Sequence, residues 1–170
     1  MCKKCTKVYL ISINFASCLL MIPQFQQYKG SFPYKTDSKN RVNVVPAWRP
    51  VQGEALNLMP SLSEGVKVLK VLTQEAFEYR VERIKQHAGS PKEESQLKTK
   101  LVRLLREANV NEQGKLLIPK DLADYAGILP DSEVMLSAGD SHFEIWNRAK
   151  FEEIFGLSAV PEEDDHLAIF

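Results

Sequence analysis

Short apolar runs separated by polar turn residues recur twice along this chain, each time in the same order. In the first half, the polar turn Ser38-Lys39-Asn40 precedes an apolar strand over residues 41–45, and a proline at position 46 opens a short helix through Trp48 and Arg49. The second half repeats this with Glu112-Gln113-Gly114, a strand over 115–118 and a helix opened by Pro119. Asn40 and Gly114 tolerate the positive φ that a tight turn requires, and Gly53 and Gly127 stop the short helices. Two strands follow in each half, over residues 54–60 and 66–72, then 132–137 and 142–146. A helix closes each half, with Thr73 or Asn147 as its N-cap. Phe77, Val81 and Ile84 form an i, i+4, i+7 stripe on the first of these helices. Beyond a hinge at 87–90, Ser90-Pro91-Lys92-Glu93 is a capping box with proline at the first helical position. It predicts a helix running to about Glu107 that presents Leu97, Leu101, Leu104 and Leu105.

Displacing the chain by 74 residues lays Asp37 on Asn111, Arg41 on Lys115, Gly53 on Gly127, Leu62-Ser63-Glu64-Gly65 on Leu136-Ser137-Ala138-Gly139, and Thr73 on Asn147. Identities are few, but the matched positions are turn glycines, helix caps and apolar strand residues. An internal repeat is therefore expected. The organisation read from it is an extension over 1–27, a strand-rich unit over 31–78, a helical connector over 79–104, a second strand-rich unit over 105–148, and a helix with an acidic tail over 149–170.

The chain has 170 residues, 44% of them hydrophobic and 26% charged, which excludes wholesale disorder and a multi-span membrane protein. Lys+Arg and Asp+Glu are 22 each. The zero net charge argues against coating nucleic acid by bulk charge and leaves room for a local basic face. That face has a location: residues 29–49 hold Lys29, Lys35, Lys39, Arg41 and Arg49 against one acid, Asp37, while Glu162–Asp165 make the C-terminal stretch acidic. Cys2, Cys5 and Cys18 all fall in the first eighteen residues, so no disulfide framework or cysteine zinc site holds the body. Lys3, Lys4 and Lys7 before the apolar stretch 8–22 have the shape of a signal peptide without a cleavage pattern. The expectation drawn is translation from Met21, with export as the competing reading.

Converging catalytic groups are not found. His87, His142 and His166 fall in a hinge, a strand and the tail, and no glycine-rich phosphate loop is present. Asp140-Ser141-His142 lists triad residue types, but neighbours on a strand point to opposite faces. No enzymatic activity, cofactor, metal or small-molecule substrate is expected. The turn Asp37-x-x-x-Arg41 is more informative. Its aspartate is suited to accepting backbone N–H bonds and pairing with Arg41, which would fix the turn, while Lys39 and Arg41 would stand on a two-stranded hairpin. Such a ribbon fits the DNA major groove, where arginine bonds guanine in a bidentate fork. A merely solvated basic strand surface is the competing reading.

The runs Phe32-Pro-Tyr-Lys-Thr-Asp37-Ser-Lys-Asn-Arg41-Val, Pro46-Ala-Trp48-Arg49, Asn111-Glu-Gln-Gly-Lys115-Leu-Leu-Ile-Pro119, Asp124-Tyr-Ala-Gly-Ile128 and Phe143-Glu-Ile-Trp146 together resemble the MraZ family of bacterial transcriptional regulators, over about residues 28–155. The resemblance implies an α+β fold of two tandem strand-rich repeats of the SpoVT/AbrB type (swapped-hairpin or barrel-like) with connecting helices. It implies a cytoplasmic, nucleoid-associated repressor of the division and cell-wall gene cluster, its own operon included. Its partners would be double-stranded DNA carrying direct repeats and further copies of itself in a ring, without a membrane. Matching the signatures gives Lys39, Asn40, Arg41, Arg49 and Lys115 as DNA-contacting residues, and Asp37, Asn111 and Gly114 as turn-structuring ones. Two positions depart from the pattern. Asn111 stands where an aspartate is expected, and Lys115 offers a point charge where arginine would offer a planar fork. An oligomeric scaffold that has lost DNA recognition is the alternative those departures keep open; a single-repeat antidote of the same superfamily is a more distant one.

Overall fold

The computed structural model describes residues 27–156 except Gln52. The signal-like front end, the Glu162–Asp165 run and His166 lie outside the described residues. Eight strands and four helices follow in the order β1 (Ser31–Lys35), β2 (Arg41–Asn43), β3 (Ala55–Ser63), β4 (Val66–Thr73), α1 (Gln74–His87), α2 (Pro91–Leu104), β5 (Arg106–Asn109), β6 (Lys115–Leu117), α3 (Lys120–Ala126), β7 (Glu133–Gly139), β8 (His142–Asn147) and α4 (Arg148–Phe155). The fold is mixed α and β: an antiparallel six-stranded sheet in the order β1-β7-β8-β4-β3-β5, with β2 and β6 forming a separate two-stranded ribbon.

The order of the large sheet reads the same from either edge when each strand is exchanged for its counterpart in the other half of the chain. β1 pairs with β7, β5 with β3, and the two second hairpin strands, β4 and β8, meet in the middle. Hydrogen bonds recur at the same 74-residue offset. Asp37 N–H to Arg41 O matches Asn111 N–H to Lys115 O, and Val44 N–H to Gly114 O matches Ile118 N–H to Asn40 O. The caps hold the offset too: Thr73 accepts from the Ala76 N–H, and Asn147 from those of Ala149 and Lys150.

Between these fixed points the ungapped alignment fails. Leu56 pairs with Thr73, whereas Val134 pairs with Asn147, so the β3–β4 hairpin is longer than β7–β8. Leu62, expected over Leu136, is 61% exposed near the hairpin tip, while Leu58 and Leu136 are both fully buried. The extra length is offset by α3, a genuine helix where the first half makes only a single 3-10 turn at Pro46–Trp48. Pro60 is tolerated within β3 because β5 covers only Ala55–Leu58, leaving the proline's side of the strand without a neighbour that needs its N–H.

One core holds both sheets. Val42 and Leu116 point inward from the ribbon onto Leu56, Leu58, Leu69, Val71, Leu136, Phe143 and Ile145, with Trp48 and Ile128 closing the sides. Each such side chain contributes about 1.5–3 kcal/mol on burial, so the ribbon is clamped by its own inward face. His142, Glu144 and Trp146 occupy the other face of β8, where Phe151 and Ile154 pack from α4 against the Trp146 cluster.

The helical connector differs from expectation at its end. α2 stops at Leu104, and Arg106 and Glu107, expected to finish the helix, instead open β5, which pairs with β3. A strand edge with unpaired backbone groups outweighs the local helix propensity of Leu105-Arg106-Glu107. The capping box is formed, with the Ser90 hydroxyl accepting from the Glu93 N–H and the Glu93 carboxylate from the Gly89 N–H.

Candidate nucleic-acid interface

Two turns of the same build flank the β2–β6 ribbon. In the first, Asp37 Oδ1 accepts the backbone N–H groups of Lys39 and Arg41, both at 2.9 Å. In the second, Asn111 Oδ1 accepts those of Gln113 at 3.1 Å and Lys115 at 2.8 Å. An amide oxygen serves as well as a carboxylate oxygen in this role. The positive φ values fall at Asn40 (55°) and Gly114 (77°), the two positions the sequence marked for them.

The flanking strands do not pair with each other, contrary to the expected hairpin. β1 joins β7 in the large sheet, and β2 joins β6, so the ribbon is built from both halves of the chain. The segment before the turn is pulled away by Thr36, which is 2% exposed. Its N–H donates to Ser132 O at 2.9 Å, its hydroxyl donates to Leu129 O at 2.9 Å, and it accepts from the Ser132 N–H at 3.0 Å. A buried threonine preceding a charged turn gives no sequence signal for this.

Alternation along the ribbon turns Val42 and Leu116 inward and leaves Arg41, Asn43, Lys115 and Leu117 on the outer face. The register sets Arg41 opposite Leu117 and Asn43 opposite Lys115. Arg41 Nε donates to Asp37 Oδ2 at 2.8 Å, and Lys115 Nζ reaches the same oxygen from the other strand at 3.4 Å. One carboxylate thus accepts two backbone amides and two cations. The N–H bond from Arg41 above all, with the Lys39 N–H and the Arg41 guanidinium, holds its carboxyl well below the ordinary range against a partial opposing desolvation. Lys39 stands exposed at the turn. The Arg49 guanidinium lies directly on Gly114, in the space a Cβ would need, and its Nε donates to Val44 O at 3.1 Å.

The site residues read from the sequence therefore gather at one place. Lys39, Asn40 and Arg41 follow Asp37 around one turn, Lys115 and Gly114 belong to the other, and Arg49 bridges to it. What the sequence did not disclose is that Lys115 leans on Asp37 across the ribbon, and that the half-exposed Leu117 stands among the cations.

Elsewhere, Asp140 and Ser141 form the β7–β8 turn rather than strand positions, with Ser141 at φ 57°. His142 Nδ1 contacts the Asp140 backbone carbonyl oxygen, not its carboxylate, and Nε2 lies 3.3 Å from Glu144 Oε1. Glu144 also accepts from Trp146 Nε1 at 2.9 Å and sits 3.5 Å from Lys70 Nζ. Burial raises its carboxyl pKa, but the His142 bond, the Lys70 charge and the Trp146 N–H outweigh that and leave it lowered. Among the described residues no group of three or more His, Cys, Asp or Glu is arranged to hold a metal ion. No described helix is long and apolar enough to cross a membrane.

Comparison with known proteins bears on this arrangement. The family model described as "MraZ protein, putative antitoxin-like" matches residues 106–165. The transcriptional regulator MraZ of Dehalococcoides mccartyi is 30% identical over 123 residues, covering 72% of this chain and 84% of that protein. The chain belongs to the MraZ family. The MraZ regulators of Lachnoclostridium phytofermentans and Coxiella burnetii are 27% and 24% identical over 143 residues, covering 84% and 81% of this chain and 96% and 93% of theirs. The likeness to these MraZ proteins extends over most of the chain, so both turns lie on a scaffold shared with proteins named as transcriptional regulators.

Proposed function

We propose that this chain regulates transcription by binding double-stranded DNA through the outer face of the β2–β6 ribbon and its two turns. The observation that carries this reading is the gathering of Lys39, Arg41, Arg49 and Lys115 on the ribbon and its two turns, two of them paired to Asp37, on a chain whose net charge is zero. Arg41, anchored through Nε, keeps its terminal Nη groups for a guanine O6/N7 fork, and Leu117 beside it offers an apolar contact of the kind a thymine methyl takes. Lys115 is a point charge, suited to phosphate more than to a base. By family resemblance, the DNA is the promoter of the division and cell-wall gene cluster, this gene's own operon included, and the effect is repression in the nucleoid.

A few cations per subunit give little affinity, and several subunits on direct repeats multiply it, which favours a homo-oligomeric ring. The strand order that reads alike from both edges supports two repeats of the SpoVT/AbrB type, residues 31–78 and 105–148, interleaved around the 79–104 connector. The scaffold alternative draws on one observation: the second turn has the amide Asn111 where the first has the Asp37 carboxylate, and its lysine is engaged by Asp37.

A salt titration of binding to the DNA upstream of the gene separates the two. Wild type is compared with Arg41→Ala on that DNA and on an unrelated duplex. Tight, salt-sensitive and selective binding that Arg41→Ala abolishes is expected. Equal binding to both duplexes, indifferent to Arg41→Ala, defeats the regulator and leaves the scaffold.

A further inference from the structure

We propose that Asp37 sets DNA selectivity by restraining two cations at once, Arg41 of its own turn and Lys115 of the other, and so holds down binding to DNA of any sequence. The inference rests on the DNA-binding reading above and adds to it a residue that need not touch DNA.

Asn111 retains one half of what Asp37 does and lacks the other. Its Oδ1 reproduces both backbone bonds that Asp37 Oδ1 makes, so the second turn closes without a carboxylate. The carboxylate of Asp37 is therefore not required for turn closure. Its distinctive work is done by Oδ2, which the second turn does not possess, and Oδ2 accepts Arg41 Nε and Lys115 Nζ. The two ties are unequal. Arg41 is held at 2.8 Å by a side chain on its own turn, which fixes the guanidinium plane as a directional fork requires. Lys115 is held at 3.4 Å across the ribbon and is partly exposed, a contact weak enough for a phosphate oxygen to displace.

Two consequences follow. On DNA of any sequence, Asp37 opposes phosphate attraction with its own charge and with its hold on Lys115. On the correct sequence, the oriented Arg41 recovers that loss through base contacts. Removing the charge while keeping the turn should thus strengthen the wrong binding and weaken discrimination. A residue needed only for folding would weaken both.

The variant is Asp37→Asn, which gives the first turn the side chain that the second already uses. Its affinity for an unrelated duplex and for the upstream DNA is measured by fluorescence anisotropy at several salt concentrations, with a urea melt to verify folding. The unrelated duplex should bind about threefold or more tighter, and the ratio between the two DNAs should fall about tenfold, the scale of one lost base fork. Unchanged or weaker binding to the unrelated duplex, in a variant that melts as a folded protein, overturns the proposal.

A second measurement decides the matter if Asp37→Asn does not fold. The Asp37 carboxyl is titrated by carbon NMR in wild type and in Lys115→Met; its charged neighbours are Arg41 and Lys39 of its own turn, Lys115 across the ribbon, and Asp131, whose backbone N–H donates to the Asp37 carbonyl oxygen at 3.4 Å. A higher midpoint in Lys115→Met supports the shared carboxylate, and an unchanged midpoint refutes it. Wild type that binds neither duplex instead defeats the DNA-binding reading, and the titration still judges the sharing.

Discussion

Replacing Gly114 by alanine tests how the second turn is held. Gly114 lies at φ +77°, where an L side chain costs about 1–2 kcal/mol. The new Cβ also falls on the Arg49 guanidinium, the far end of a flexible side chain, which can swing away. What is lost then is the Arg49 hydrogen bond to Val44 O, worth about 1 kcal/mol at this partly exposed position. Gly127 supplies the reference, with φ +66° and no atom within 4 Å of its Cβ position, so Gly127→Ala carries backbone strain alone. The expected losses are about 2–3 kcal/mol for Gly114→Ala and about 1–2 kcal/mol for Gly127→Ala. Urea unfolding resolves this difference, since 1 kcal/mol moves the midpoint by about 0.3–1 M. Both glycine variants are then repeated in an Arg49→Ala background, where the two losses should converge. A surplus for Gly114→Ala that persists without Arg49 would refute the reasoning.

Four other expectations concern stability. Burial pushes the Tyr28 hydroxyl up to about 12, and it has no hydrogen-bond partner among the described residues. The fold favours the neutral phenol, so its contribution is complete below about pH 10, the unfolded value, and lost as pH rises through the folded one. Tyr28→Phe should remove that alkaline loss and raise neutral-pH stability by about 1 kcal/mol; a destabilised Tyr28→Phe would mean the hydroxyl is satisfied. The Asp37 carboxyl has the opposite sign: its folded pKa is depressed, so its contribution is complete above about pH 4 and is lost on acidification. Urea midpoints followed into acid should fall less steeply in Asp37→Asn than in wild type. Phe143 is fully buried, its ring 5.4 Å from that of Trp48, and Phe143→Ala should cost about 3–5 kcal/mol in the same urea assay. Leu97→Ala, on a residue 41% exposed, should cost about 0.5 kcal/mol or less.

Local chemistry was legible wherever a residue's conformation depends on its near neighbours. The positive φ at Asn40 and Gly114, the caps at Thr73, Ser90 and Asn147, and the Asp37–Arg41 pair all involve partners within four residues. The candidate site was legible for the same reason, because each half of it is one turn. The end of α2 is not legible because Arg106 and Glu107 carry ordinary helix propensity, and the β3 edge that captures them is distant in sequence.

By itself, then, the sequence determined six of the strands, the positive-φ turn positions, the cations and the family signature, all encoded in side-chain periodicity and short-range hydrogen bonding. Only the tertiary structure decided that β2 pairs with β6 rather than with β1, that Leu58 and not Leu62 enters the core, and that Lys115 shares Asp37 with Arg41. Strand partners and cross-strand ion pairs are chosen by which apolar faces must be buried together. That choice is made by the whole core, with Thr36 drawing one segment toward Ser132 and Val42 and Leu116 pressing the ribbon onto the sheet.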